Sequence, residues 1–200
     1  MPNIAVIYYS STGNVHQLAE ALAEGAREAG AEVRLRRVPE LAPQEAIDSN
    51  PLWRAHVDAT ADQVEEATPE DMEWADGYAL GSPTRFGTPA SQMKQFIDQL
   101  GGLWFTGKLA NKGATAFTSA QNVHGGNEST LLTFFNIFSH FGAVIVPPGY
   151  TDPLLFEAGG NPYGVSTASG GQSETATEAE LTAARYQGRR LAEITAKLVA

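Results

Sequence analysis

Two periods of apolar and polar positions succeed one another along the chain. Ile4 to Tyr9 is an unbroken apolar run between polar residues, the pattern of a strand buried on both faces. Val15, Leu18, Ala19, Leu22 and Ala26 then recur on one helical face, and Gly30 closes that helix. Glu32 to Val38 alternates as a second strand, completing a βαβ unit of the kind that builds parallel sheets. Gly77 to Gly81 predicts a third strand, and Pro89 suits the first turn of a helix running to about Leu100. Gly113 to Thr118 is a fourth strand, after which Asn127–Glu128 is placed to cap a strongly apolar helix ending at Phe141. Ala143 to Val146 is a fifth strand, stopped by Pro147–Pro148. Glu178 to Val199 closes the chain as a helix with Leu181, Ala184, Gly188, Leu191 and Leu198 at heptad-like spacing.

Five strands alternating with helices predict an α/β fold: a doubly wound five-stranded parallel sheet in the flavodoxin-like order 2-1-3-4-5, with helices on both faces. Residues 1–200 read as one such domain, with an irregular excursion at about 39–76 and a Gly/Ser-rich loop at about 151–177. Prolines 39, 43, 51 and 69 break the excursion, and a short acidic helix is expected near its end. Asp58, Asp62, Glu65, Glu66, Glu70, Asp71, Glu73 and Asp76 fall there in a stretch without lysine or arginine, and read as a solvated face. Trp53 reads as a buried or interface residue.

The chain has 200 residues, 42% hydrophobic and 18% charged, which is a globular composition. It has no cysteine, so disulfides, iron–sulfur clusters and thiolate nucleophiles are excluded. Thirteen basic against 23 acidic side chains give a net charge of −10, which argues against nucleic acid as a partner. The opening MPNIAVIYYS has no basic n-region and no long apolar stretch follows, so a cytoplasmic protein without membrane insertion is expected. The four histidines show no metal spacing, and no metal is expected. No Gly-x-Ser-x-Gly elbow is present to support hydrolysis.

In a sheet of this order ligands bind beyond the carboxyl ends of the strands, where three loops should meet. Ser10, Ser11, Thr12, Gly13 and Asn14 join the first strand to its helix. Taken alone they read equally as a helix cap or as a phosphate cradle, and Gly13 favours the cradle. Pro83, Thr84, Arg85, Phe86 and Gly87 follow the third strand; alone they make an ordinary strand-to-helix turn, though their backbone donors also suit one edge of a flat ring. Ser119, Ala120, Gln121, Asn122, Val123, His124 and Gly125 form a small, polar loop suited to close backbone approach. Lys and Arg are absent from Gly113 to Ala184, so a ligand there meets neutral groups. His140 ends an apolar helix and reads, from the residues, as a histidine favoured by the helix dipole.

YYSSTGN, SPTRFG, GGLW, HGGNE, VIVPPGY and NPYG together resemble the WrbA-type NAD(P)H:quinone oxidoreductases, flavodoxin-like FMN proteins, over nearly the whole chain. The resemblance implies that Ser10 to Val15 bind the FMN phosphate, Pro83 to Phe86 the isoalloxazine edge, and Ser119 to Gly125 the ribityl chain and ring. It implies that His140 reaches the flavin of a neighbouring subunit, that Trp104 walls the quinone pocket, and that Thr12 stands on the nicotinamide side, where many members carry tyrosine. It further implies NADH or NADPH as hydride donor, two-electron quinone reduction by a ping-pong cycle, and a homotetramer or dimer of dimers. Departures from the family pattern follow Gly170–Gly171, at Gln172–Ser173–Glu174–Thr175. The rival expectations are a one-electron carrier of the flavodoxin type and a protein-binding accessory factor without enzymatic role.

Overall fold

Three near-continuous apolar strands set the architecture. The computed structural model describes residues 1–169 and 175–200. In chain order it contains β1 (Asn3–Tyr8), α1 (Asn14–Glu28), β2 (Glu32–Arg37), α2 (Gln44–Asp48), α3 (Pro51–Thr60), α4 (Pro69–Trp74), β3 (Gly77–Arg85) and β4 (Thr88–Pro89). There follow α5 (Ser91–Gln99), α6 (Gly101–Phe105), β5 (Gly113–Ala120), α7 (Asn127–Phe141), β6 (Val144–Ile145), α8 (Leu154–Glu157), β7 (Ser166–Ala168) and α9 (Glu178–Leu198). The main sheet runs β2-β1-β3-β5-β6, all parallel, with Ile4 opposite both Val33 and Gly77, and Gly77 opposite Gly113. Counting the five long-range strand positions in sequence, this is the expected order 2-1-3-4-5.

The central strands are buried on both faces because helices cover both sides. Ile4, Val6 and Tyr8 point with Phe117 into one core layer, against Leu18 and Leu22 of α1 and Leu191 of α9. Ala5, Ile7, Tyr78 and Leu80 point into the other, against Met93 and Phe96 of α5 and Phe134 and Phe138 of α7. Helices α1 and α9 approach unusually closely: a Cβ added to Gly188 would lie 1.9 Å from the Leu22 carbonyl oxygen, and one on Gly25 would lie 1.9 Å from that of Arg185. Glycine is required at that crossing.

Several local expectations are corrected. The fifth sheet position is shared by two pieces, because β6 pairs only with Gly113–Ala114 while β7 pairs with Thr118–Ala120 after a 20-residue detour between Ile145 and Ser166. Between them, the Nε2 of buried Gln187 donates to the Ala116 carbonyl at 2.8 Å and to Thr115 Oγ1 at 2.7 Å, and its Oε1 accepts from Val165 N–H at 2.7 Å. Pro89 does not open a helix; it pairs in the short antiparallel strand β4. Gly126, in the left-handed region, takes the N-cap of α7, and Asn127 is its first helical residue with no side-chain cap bond.

The excursion is helical, forming α2, α3 and α4. Asn50 caps α3 by accepting from the N–H groups of Leu52 and Trp53, with Pro51 in the first turn. Several acids of this region are paired across the fold, Glu65 and Glu66 with Arg36 and Arg37 and Glu73 with Lys108, while Asp58 pairs with Arg54 one turn away within α3. Asp71 is only 3% exposed, so it belongs to no solvated face. It bonds both Arg34 and Arg36 at 3.2 Å and closes a capping box with Thr68.

Candidate functional site

The carboxyl ends of β1, β3 and β5 open into one cavity of about 670 Å³. Such a volume lies within the range of small-molecule and cofactor sites, and its position is the switch point of the sheet. The structure brings to it Ser10, Ser11, Thr12, Asn14 and Val15 of the first loop, Pro83 to Phe86 of the second, and Ser119 to Asn122 with Gly125 of the third. Gly13 and Gly87 hold the backbone turns of these loops without lining the space. Val123 instead lines a second cavity beyond the third loop, and His124 lines neither.

In the first loop, Gly13 adopts φ 102° at the N-cap of α1, and its N–H donates to Ser10 Oγ at 3.1 Å. No side chain caps α1 and no acid stands in its first turn, so the opening N–H groups of the helix face the cavity unclaimed. The helix-cap reading of the loop is thus not realised, and an uncapped helix N-terminus stands beside the three hydroxyls of Ser10, Ser11 and Thr12, an arrangement able to receive an anion.

The second loop is a two-residue hairpin and no ordinary strand-to-helix turn. Arg85 pairs with Thr88 across Phe86 and Gly87, whose φ values are 53° and 80°. Both central residues lie in the left-handed region, as a type I′ turn demands, and a phenylalanine there is strained. The turn drives Phe86 fully into solvent at the cavity mouth. Arg85 is the only charged residue lining the cavity among the described residues, and it donates to Ser11 Oγ at 3.2 Å and to the Thr84 carbonyl at 3.0 Å. It therefore ties the second loop to the first. Thr130 Oγ1 donates to Thr84 Oγ1 at 2.8 Å, tying the second loop to α7, and Thr118 Oγ1 donates to the Ser82 carbonyl at 2.7 Å, tying β5 to β3 just before that loop.

Four lining residues were not anticipated as site residues: Asn50, Leu52, Trp53 and Ser169. The first three arrive on the start of α3, and Ser169 follows β7, its N–H bonded to the Ala120 carbonyl at 2.9 Å. Behind Trp53 lies Glu40, which accepts from Trp53 Nε1 at 2.9 Å, Tyr9 Oη at 2.8 Å, Gln92 Nε2 at 2.7 Å and the N–H groups of Leu41 and Ala42. Burial pushes the Glu40 pKa upward, but hydrogen bonds from Ala42, Gln92, Tyr9 and Trp53 outweigh it and hold the carboxylate below its ordinary range. Burial, reinforced by the Glu40 charge, pushes the Tyr9 hydroxyl far up, so it stays a donor.

Beneath the first loop, Tyr8 Oη and His16 Nδ1 lie 2.6 Å apart, and the His16 and His56 rings are 5.4 Å apart. Burial lowers the His56 pKa to about 4, with neighbouring His16 and Arg37 adding to the effect. Burial also lowers that of His16, against the opposing charge of Glu20. Both imidazoles are neutral at pH 7.

Trp104 and His140 stand apart from this cavity. The Trp104 indole donates to the His140 carbonyl at 2.9 Å, linking α6 to α7 on a face where Phe105 is also exposed. Among the described residues no cluster of three metal-ligating side chains occurs, and no helix is long and apolar enough to cross a membrane. The family departures at Gln172–Ser173–Glu174–Thr175 lie, except for Thr175, outside the described residues.

Comparison with known proteins identifies the family of the chain. The model of the NADPH-dependent FMN reductase family matches residues 2–152. An NAD(P)H dehydrogenase (quinone) of Deinococcus radiodurans is 53% identical over 196 residues, covering 98% of this chain and 96% of the relative. One of Rhizobium rhizogenes is 44% identical over 205 residues, covering both chains completely. In fold, the chain is similar to a flavodoxin, WrbA-like protein from Agrobacterium tumefaciens, with TM-score 0.68 at 23% identity over 98% of this chain and 99% of that one. The chain belongs to the NADPH-dependent FMN reductase family, among flavodoxin-like relatives curated as NAD(P)H dehydrogenases (quinone).

Proposed function

We propose that the protein is an FMN-dependent NAD(P)H:quinone oxidoreductase. The observation that carries this reading is the single cavity in which an uncapped helix N-terminus stands at one side and a strained aromatic hairpin at the other. An anion and a flat ring on one molecule match those two ends. Ser10 to Val15 would hold the FMN phosphate through hydroxyls and the free N–H groups of α1. Pro83 to Phe86 would present backbone donors to the ring edge, and Ser119 to Asn122 with Gly125 would follow the ribityl chain.

FMN held there would supply two-electron redox chemistry between NADH or NADPH and a quinone, the ping-pong cycle being part of this proposal. The chain's own groups position and shield. Neutral hydroxyls and amides line most of the cavity, so no fixed acid repels an incoming nicotinamide or reduced ring. Arg85, the one cation lining the cavity among the described residues, would stabilise negative charge that builds up on a reduced ring. Thr12 leaves the nicotinamide side open and offers a hydroxyl there.

The proposal includes a homotetramer or dimer of dimers in which His140 reaches the flavin of a neighbouring subunit; Trp104, bonded to the His140 carbonyl at 2.9 Å, lies on the same face. The proposal includes a cytoplasmic location.

The deciding experiment is an anaerobic NADH titration of FMN-loaded protein followed in the visible band. Bleaching by NADH that benzoquinone reverses is the expected outcome. Reduction by dithionite alone would replace the reading with that of a one-electron carrier, and failure to take up FMN would leave the accessory-factor reading.

A further inference from the structure

The excursion brings an indole to the cavity that neither the sequence motifs nor the two ends of the site require. Trp53 lines the same space as Thr12 and Phe86, and it is anchored twice. Its backbone N–H is received by Asn50 Oδ1 at the N-cap of α3, and its Nε1 donates to Glu40 Oε2 at 2.9 Å. Glu40 is in turn fixed by Tyr9 of the β1 terminus, by Gln92 of α5 and by two backbone amides. Five donors on one carboxylate leave it little freedom, so the plane of the indole is set by the ends of two other elements. The remaining tryptophans have other work: Trp74 packs under the Arg34 guanidinium at 4.0 Å, and Trp104 bonds α7. A large aromatic side chain that is partly buried, held through its Nε1 and lining a cavity is arranged to receive a planar ring.

We propose that Trp53 is a ring-stacking residue of the flavin site and that Glu40 is its positioning residue. This rests on the proposed FMN reading and deepens it. In this arrangement the indole covers one side of the isoalloxazine, leaving nicotinamide and quinone to use the other. The excursion then does more than cover a strand end: it confines substrate exchange to the mouth marked by Phe86.

The test uses the FMN-loaded protein and reads the flavin's own emission, because a stacked indole quenches isoalloxazine fluorescence whatever the turnover. Trp53→Phe and Trp53→Ala should raise bound-flavin emission severalfold, while Trp74→Phe leaves it unchanged. Trp53→Ala should weaken FMN binding by roughly 2- to 12-fold, the range expected for one aromatic pair, and Trp53→Phe should restore part of that loss. Glu40→Gln turns an amide N–H₂ toward existing donors and should loosen the indole. Its effect on emission should therefore shrink in the Trp53→Phe background, because the two positions act as a unit. Wild-type emission and affinity in Trp53→Phe, in protein that binds FMN normally, would overturn this inference alone. Additive effects of the two substitutions would overturn the role of Glu40. A wild-type chain that takes up no FMN would instead defeat the functional reading beneath it.

Discussion

Gln187→Ala tests whether one side-chain amide completes the interrupted edge of the sheet. Gln187 is 1% exposed, and all three of its hydrogen bonds are buried. Truncation leaves the Val165 N–H without an acceptor, which costs about 1–3 kcal/mol, and strands the Ala116 carbonyl for roughly 1 kcal/mol more. Removing the amide and a methylene opens a void worth on the order of 1 kcal/mol. The sum is about 3–5 kcal/mol, which for a chain of this size corresponds to a Tm lower by roughly 10 °C. Gln187→Glu supplies the internal control. It keeps the acceptor for Val165 but replaces the donor, and a carboxyl buried there would have its pKa raised. Its deficit relative to wild type should therefore narrow as pH falls and the neutral acid regains a proton to donate. Urea unfolding followed by near-UV circular dichroism measures both. A loss below about 1 kcal/mol for Gln187→Ala would refute the reasoning, since it would mean that β7 and β5 do not depend on this amide.

Three further outcomes follow from the structure. Gly188→Ala should cost about 1–3 kcal/mol in the urea midpoint, because its Cβ meets the α1 backbone and not a movable side chain. The neutral His56 has a folded pKa of about 4 against an ordinary 6.5. The stability it contributes is complete above pH 6.5 and is lost as pH falls toward 4; screening of this partly exposed group leaves about 1 kcal/mol, and His56→Gln should flatten that part of the pH profile. Arg85→Ala should lower kcat for quinone reduction about tenfold or more while FMN affinity changes less; an effect confined to FMN affinity would remove its proposed electrostatic role.

The sheet was legible because β1, β3 and β5 are buried on both faces and so write themselves as apolar runs. The loops were legible because the strand order dictates where they meet. What escaped is short or held by distant partners. β7 is Ser166–Thr167–Ala168, three residues with no alternation to detect. The excursion helices are 5, 10 and 6 residues long, and their order rests on caps, ion pairs and Glu40, none of which leaves a period in the sequence. Ser169 and Trp53 reach the cavity only through those elements. The hairpin at Phe86–Gly87 was hidden because Phe-Gly is not a usual type I′ pair; its geometry is imposed by the Arg85–Thr88 pairing.

The divided fifth position has a consequence for how these molecules meet in a crowded solution. A parallel sheet ends in two rows of backbone groups, each a template for a foreign strand. On the β5 side that row is broken into a two-residue piece, a side-chain amide and a three-residue piece, too short and too discontinuous to register with an intruder. On the opposite side β2 carries Arg34, Arg36 and Arg37, all bound to acids of the excursion, so a docking strand would have to displace a belt of ion pairs. The same insertions that furnish the cavity thus blunt both margins of the sheet against strand-to-strand aggregation.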